Sequence, residues 1–227
     1  MDNKLASALH RSAKPGEIIT FGTYPQMADA SDTTPIKWRV LQNSGKDLFM
    51  LSEYILDCKQ YHGEFTDITW CDCDLRKWLN NEFYNVAFNA DEKGFVKTTR
   101  CTDNGEDSPD TEDKVFLLSV TEVHERSHTL DTDFRRTRGT EFAKIKKAGD
   151  GHLYVMDKHV DTDYINEGGK KYGCSWWWLR SQGRLKDTGH DPSRAVFIGT
   201  RASIRHYARV NRTGYGVRPA LKLDLQH

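Results

Sequence analysis

The sequence predicts an α+β domain in which two helices pack on small antiparallel sheets joined by long loops. Three features predict it. Apolar residues alternate or cluster over short lengths in ITFGTYPQ, IKWRVLQN and DLFMLSEYIL, with Gly22, Pro25, Pro35 and Gly45 between them, the pattern of short antiparallel strands. Leu75, Trp78, Leu79 and Phe83 recur at the spacing of one helix face and predict a helix over about 72–88, with Asp72 or Asp74 placed to cap its free amide groups. At Ser119, the run Ser-Val-Thr-Glu has the spacing of a capping box, so a second, shorter helix starts there, turns Val120 and Val123 to the core and ends near Ser127.

Between these elements the chain is less regular. Residues 1–16, closing on Pro15-Gly16, form an N-terminal arm before a domain spanning 17–227. TDNGEDSPDTED reads as a polar acidic loop, and 129–173 mixes basic, acidic and glycine-containing pieces with little period, the mark of a long irregular region.

Composition narrows the function. At 227 residues the chain fits one domain, and with 37% hydrophobic and 11% aromatic residues its core must be built from large rings. Lysine plus arginine and aspartate plus glutamate each total 33, so the molecule has no net field drawing it to nucleic acid or an anionic membrane. No stretch approaches the roughly 18 apolar residues of a membrane span, and the N-terminus lacks a signal-peptide core, so the protein is expected to be soluble and cytoplasmic, not secreted by the standard route.

Five cysteines, Cys58, Cys71, Cys73, Cys101 and Cys174, are odd in number and widely spread, unlike a disulfide framework. Cys58, His62, Cys71 and Cys73 offer three thiolates and an imidazole, a weak candidate for structural zinc, since their spacing is that of no ribbon or finger. Asp103, Asp107, Asp110 and Asp113 of the acidic loop offer oxygen ligands for calcium, but without EF-hand order. Serine-hydrolase, phosphate-loop and HExxH signatures are absent, so no catalytic residues, cofactor or metal are assigned.

FGTYPQ, PIKWRVL, LSEYILDCKQY, TWCDCDLRKWLNNEFYNVAF, TEDKVFLLS, WWWLRSQG and GVRPALKL together cover most of 18–225. In this order they resemble a large bacterial domain family of unknown function related to the formylglycine-generating-enzyme type of C-type lectin fold. The resemblance implies a C-type-lectin-like fold. Enzymes of that type hold copper with paired cysteines near the C-terminal part of the domain, where this chain has Cys174 alone. WWLRS followed by a polar tract and closed by GVRPAL is also similar to the variable proteins of diversity-generating retroelements, in which adenine-directed mutagenesis rewrites codons in the last strands and loops of a lectin fold. The tract here, RLKDTGHDPSRAVFIGTRASIRHYARVNRTGY, is composed largely of residues reachable by changing the adenines of an asparagine codon.

The tract's own chemistry points the same way. Arginine and tyrosine are enriched at binding hot spots, because each offers a large contact area with directional donors. Within 176–219, Arg184, Lys186, Thr188, His190, Phe197, Arg201, Ser203, Arg205, His206, Tyr207, Arg209, Asn211, Arg212 and Tyr215 are the expected ligand-binding residues. The basic bias implies a macromolecular partner, a protein with an acidic surface; nucleic acid is the weaker choice at zero net charge. Trp176, Trp177 and Trp178 cannot all face inward from one strand, so one or two belong to the core and one to the rim of the site. Arg180 and Arg218 are expected to hold loops through backbone carbonyls. An enzyme of the sulfatase-modifying type, or an accessory domain that packs the tract against a subunit, are the alternatives.

Overall fold

A computed structural model describes residues 11–127, 132–156, 166–167, 170–171, 173–187 and 189–226. Strands β1 (Ile18–Thr23), β2 (Pro35–Asn43) and β3 (Asp47–Ser52) form the antiparallel meander that the alternating segments predict. Along β2, Ile36, Trp38 and Val40 are buried at every second position, and the Trp38 indole donates to the Phe21 carbonyl at 2.7 Å. The final strand β14 (Ala220–Asp224) lies against β3, with Ala220 opposite Leu51 and Asp224 opposite Asp47. β5 (Val96–Lys97) completes the sheet in the order β1-β2-β3-β14-β5. The ALKL of GVRPALKL is therefore core strand. Part of the N-terminal arm also docks: Ala13 is buried, and Arg11 donates to the Leu225 carbonyl at 3.0 Å.

The first predicted helix is present as one continuous run: α1 (Asp74–Trp78), a π-helical turn (Leu79–Phe83) and α2 (Tyr84–Ala87). Its cap differs from the expectation. Cys73 is the N-cap, its sulfur accepting from the Arg76 amide at 3.4 Å, because Asp74 already lies inside the first turn and Asp72 accepts from the Thr69 hydroxyl. The wider π turn lets Asn80 bridge outward: its side-chain amide donates to the Arg76 and Val115 carbonyls at 3.1 and 2.9 Å, and its oxygen accepts from the Lys114 amide. A short helix α3 (Ala90–Phe95), held by an Asn89–Glu92 capping box, follows where no helix was expected. Glu92 also accepts from the amide of Gly22, whose φ of +67° and contact with the Phe88 ring admit only glycine.

The second predicted helix is α4 (Val120–Ser127). Its capping box is complete: the Ser119 amide donates to Glu122 at 2.8 Å, and the Glu122 amide donates to the Ser119 hydroxyl at 3.1 Å. Val123 is buried and Val120 half-buried against the core. The acidic segment is more ordered than a plain loop, since β6 (Thr99–Cys101) and β7 (Thr111–Asp113) pair at its ends. Within 129–173 the described elements are short: a 3-10 turn, a one-turn helix α5 (Glu141–Lys144) and the two-residue strands β8 (Asn166–Glu167) and β9 (Lys170–Lys171).

The tract belongs to a second sheet. β10 (Trp177–Leu185) and β11 (Gly189–Ile198) form a long hairpin, and β12 (Ile204–Arg209) adds to β11 as the sheet's edge. On the other side, β13 (Gly216–Val217) runs parallel to β10, and β4 (Asp57–Cys58) closes the order β12-β11-β10-β13-β4. Register shifts interrupt both the β10–β11 and the β11–β12 pairing, as bulges that twist and bend the strands. At the bend, a side-chain carbon on Gly183 would collide with the His206 carbonyl and the Arg194 side chain, so the close crossing of β10 and β12 requires glycine. Buried side chains of both sheets and of the helical run belong to one continuous cluster, so the architecture is α+β around a single core.

Two buried arginines stitch the loops to this core, as expected for frame residues. Arg180 donates to the Leu117 and Thr102 carbonyls at 2.6 and 2.8 Å, to Asn104 at 2.9 Å and to Glu122 at 2.6 Å. Arg218 donates to the Ser52 and Phe134 carbonyls at 2.7 and 2.6 Å.

Candidate ligand-binding site

Strand alternation and the β11–β12 return converge on a cavity of about 430 Å³ lined by Trp176, Arg194, Phe197, Tyr207, Ala208, Arg209, Arg212 and Tyr215. Its floor is aromatic. Tyr215 stacks on Trp178 with centroids 4.1 Å apart, and Phe197 meets Tyr215 edge-on at 4.9 Å and Tyr207 edge-on at 5.6 Å. Trp178 in turn meets Tyr61 of the core, so the floor is the outer end of a ring cluster continuous with the interior. Such pairs contribute about 0.5–1.5 kcal/mol each beyond burial, which makes the floor rigid. The three tryptophans divide as their crowding requires: Trp177 and Trp178 are buried, and Trp176 is half-buried on the cavity wall.

Two further aromatics come from distant loops. Tyr154 stacks on Trp176 with centroids 3.9 Å apart and planes 15° apart, and its amide donates to the Gly214 carbonyl at 2.9 Å. Phe65 lies under the guanidinium of Arg209 at 4.8 Å and near that of Arg194 at 5.9 Å. Its loop is pinned to the tract by the Tyr61 and His62 amides, which donate to the Val210 carbonyl, and by the Ile68 amide, which donates to Pro192. Phe65, Tyr154 and Tyr207 are 48, 38 and 52% exposed, three of the largest exposed apolar side chains; Tyr207 lines the cavity, and Phe65 and Tyr154 pack on its lining residues Arg209 and Trp176.

The electrostatics are cationic. Arg194 is held by Asp191 at 3.0 Å and by the Tyr207 carbonyl at 3.0 Å, whereas Arg209 and Arg212 are exposed, with Arg209 braced on Phe65. Burial pushes the Tyr215 phenol up to about 12, so it stays a neutral donor at physiological pH. The lining residues offer guanidinium and phenol donors and ring faces, and none is a carboxylate, histidine or thiol.

The expected tract residues fall into three groups. Phe197, Tyr207, Arg209, Arg212 and Tyr215 line the aromatic cavity, while Arg184, Lys186, Arg205 and His206, again with Tyr207, line a second cleft of about 470 Å³. His190, Arg201, Ser203 and Asn211 line neither: His190 sits 2.6 Å from Asp107, Arg201 and Ser203 occupy the β11–β12 turn, and the Asn211 carbonyl accepts from Gln60. Thr188 lies outside the described residues. Phe65 and Tyr154 were missed: Phe65 is a lone aromatic in a polar stretch, and Tyr154 sits in the short apolar run Leu153–Met156 with no period to mark it.

The metal candidates do not assemble. Among the described residues no group of three or more His, Cys, Asp or Glu is placed to hold a metal ion. Cys58 turns its sulfur to the Asp150 carbonyl, Cys73 caps α1, His62 pairs with Asp74 at 2.8 Å, and Cys71 is half-exposed with its carbonyl held by Arg76. The acidic quartet also diverges. Asp113 is buried with Trp70, Arg76 and Thr111, Asp110 pairs with Arg100, Asp107 meets His190, and Asp103 accepts from the Thr121 amide. None of the five cysteines is in a disulfide, and no described helix is long and apolar enough to cross a membrane.

Comparison with curated proteins and with solved structures finds no match. Residues 45–225 match the family model described as "Domain of unknown function (DUF6273)", a span that takes in the helical run, both sheets' central strands and every residue lining the aromatic cavity, and the chain belongs to that family.

Proposed function

We propose that the protein is a binding protein that presents the 184–215 face on a C-type-lectin-like scaffold to a macromolecular ligand, a protein with an acidic surface. The observation that carries this reading is that Tyr207, Arg209 and Arg212 line one preformed cavity at a sheet edge, with two more exposed aromatics, Phe65 and Tyr154, packed on its lining residues Arg209 and Trp176. Rigid rings give contact area at low entropic cost, and exposed guanidiniums give directional donors for carboxylates. The tract's composition and its WWLRS and GVRPAL flanks support a further step, that the face is diversified by a retroelement, in a bacterium or on a phage particle.

Selection of a random peptide library on the immobilised protein tests the binding claim. The expected binders are acidic, and Tyr207→Ala and Arg209→Ala weaken them. Binders indifferent to both substitutions, or no enrichment at all, overturn the claim. Diversification is tested on the gene, which should lie near a repeat differing from it at adenines and near a reverse transcriptase; absence of both removes it.

A further inference from the structure

Most basic side chains in this chain that make polar contacts are neutralised: Arg39 by Glu53, Arg76 by Asp113, Lys97 by Asp47, Arg180 by Glu122 and Arg194 by Asp191. The second cleft is different. Arg184 and Lys186 at the β10–β11 hairpin end and Arg205 and His206 on β12 converge there around Ile204 and Tyr207. Among the described residues none of the four has a carboxylate partner; the one polar contact is Arg205 to the Ser203 hydroxyl at 3.0 Å. In a chain with equal numbers of acidic and basic residues, such a cluster is a local positive field, which a multiply charged anion would neutralise.

We propose that this cleft is a second anion-binding site, taking an acidic peptide segment that carries several carboxylates, and that its grip tightens as His206 takes up a proton. The inference rests on the reading of the tract as a surface for an acidic protein. The geometry favours a segment over a single small oxyanion. Arg184, Lys186 and Arg205 are exposed along an open cleft, and Tyr207 joins it to the aromatic cavity across the edge strand. Residues 204 and 206 lie on the strand face opposite 205, 207 and 209, so charges reach a ligand from both sides of the edge.

Burial, then Arg184 on β10 and His124 on α4, lower the His206 pKa below its ordinary 6.5, so the imidazole of the free protein is neutral at pH 7. A bound row of carboxylates reverses that balance and favours imidazolium. Binding therefore takes up a proton, and affinity rises as pH falls toward the pKa of the free protein.

Hexaglutamate is the probe, titrated by calorimetry and by the His206 ring resonances between pH 5.5 and 7.5. The expected result is one site whose affinity rises on acidification, falls with added salt, and drops at least about tenfold in Arg184→Gln/Arg205→Gln, or ~1.4 kcal/mol. The His206 titration midpoint should rise when the peptide is bound, and Val86→Ala, exposed on α2 and lining neither cavity, should leave binding unchanged. Inorganic phosphate binding as tightly as the peptide overturns the proposal in favour of a small-oxyanion site. Loss of binding in Phe65→Ala with none in the double variant overturns it by placing the peptide in the aromatic cavity. Failure of library selection at that cavity, with hexaglutamate still bound here, removes the proposed main surface and leaves this site standing.

Discussion

Replacing Arg180 with methionine keeps most of the volume of the side chain and removes every donor it supplies. The guanidinium is fully buried and joins four partners: the Leu117 and Thr102 carbonyls, Asn104 and Glu122. Removing one member of a buried ion pair costs about 3–5 kcal/mol. Glu122 is partly exposed and rehydrates, which moves the ion-pair share to the low end, but carbonyls left unsatisfied in the interior add about 1 kcal/mol or more each. The expected loss is about 4 kcal/mol. At a urea m-value of about 2–3 kcal/mol/M this lowers the unfolding midpoint by roughly 1.3–2 M. Arg180→Lys keeps the charge near Glu122 but cannot reach all four acceptors, and should lose about 2–3 kcal/mol. A double-mutant cycle with Glu122→Gln should show coupling above about 1 kcal/mol, because the two side chains pair directly at 2.6 Å. A midpoint shift in Arg180→Met worth less than about 1 kcal/mol, or a lysine variant as stable as the parent, would refute the assignment of Arg180 as the pin of β10.

Gly22→Ala combines a φ of +67° with a collision against the Phe88 ring and should cost about 2–3 kcal/mol, whereas Gly45→Ala, at φ +78° in open space, should cost about 1 kcal/mol; thermal unfolding compares them. Burial pushes the Cys58 and Cys73 thiols up to about 12 and raises Cys101, and Cys174 is buried as well, so a water-soluble disulfide reagent at pH 8 should label one thiol quickly in the native protein, Cys71, and five after denaturation. Tyr215 ionises at about 12 when folded against 10.0 in the unfolded chain, so above pH 10 the unfolded state binds fewer protons and stability should fall between pH 10 and 12. A stability flat to pH 12 by urea titration contradicts the burial of that phenol.

Local patterns were the most legible. The face of Leu75, Leu79 and Phe83 and the Ser119–Glu122 box depend on neighbours three or four residues apart, and both elements stand where the spacing puts them. The cap of α1 was misjudged because aspartate is the stronger capping residue in general, while here the backbone turns at Cys73. The Asn89–Glu92 box was passed over because α3 buries no apolar face to give it a period. Residues of the site from the tract were legible as a group, since their crowding of arginine and tyrosine is a composition signal. Phe65 and Tyr154 were not. They reach Arg209 and Trp176 only through long-range pairings, Val210 with the 61–62 amides and Gly214 with Tyr154, which no local window contains.

If the tract is a surface that varies, as proposed, positions that carry stability must be separate from positions that carry contact, and burial separates them: by alternation on β12, and by a continuous buried run at the end of β11. On β12, Arg205, Tyr207 and Arg209 are exposed, while Ala208 between them and Val210 after them are buried; on β11, Ala195, Val196 and Ile198 are buried. Surface substitutions away from special features change stability by about 0.5 kcal/mol or less, whereas a polar or larger side chain forced into a packed position costs about 1–3 kcal/mol. Substituting asparagine singly at 205, 207 and 209 should therefore leave the melting temperature nearly unchanged, while asparagine at 195, 208 and 210 should lower it by several degrees. Phe197 and Tyr215 are the informative cases, because both line the cavity and yet are buried within the ring cluster. If the face is a replaceable one, they behave as frame, costing about 3 kcal/mol or more on truncation to alanine. Equal tolerance at 197 and 207 would mean that the aromatic floor is not what holds the edge of this sheet, and the division between fixed floor and changeable rim would have to be given up.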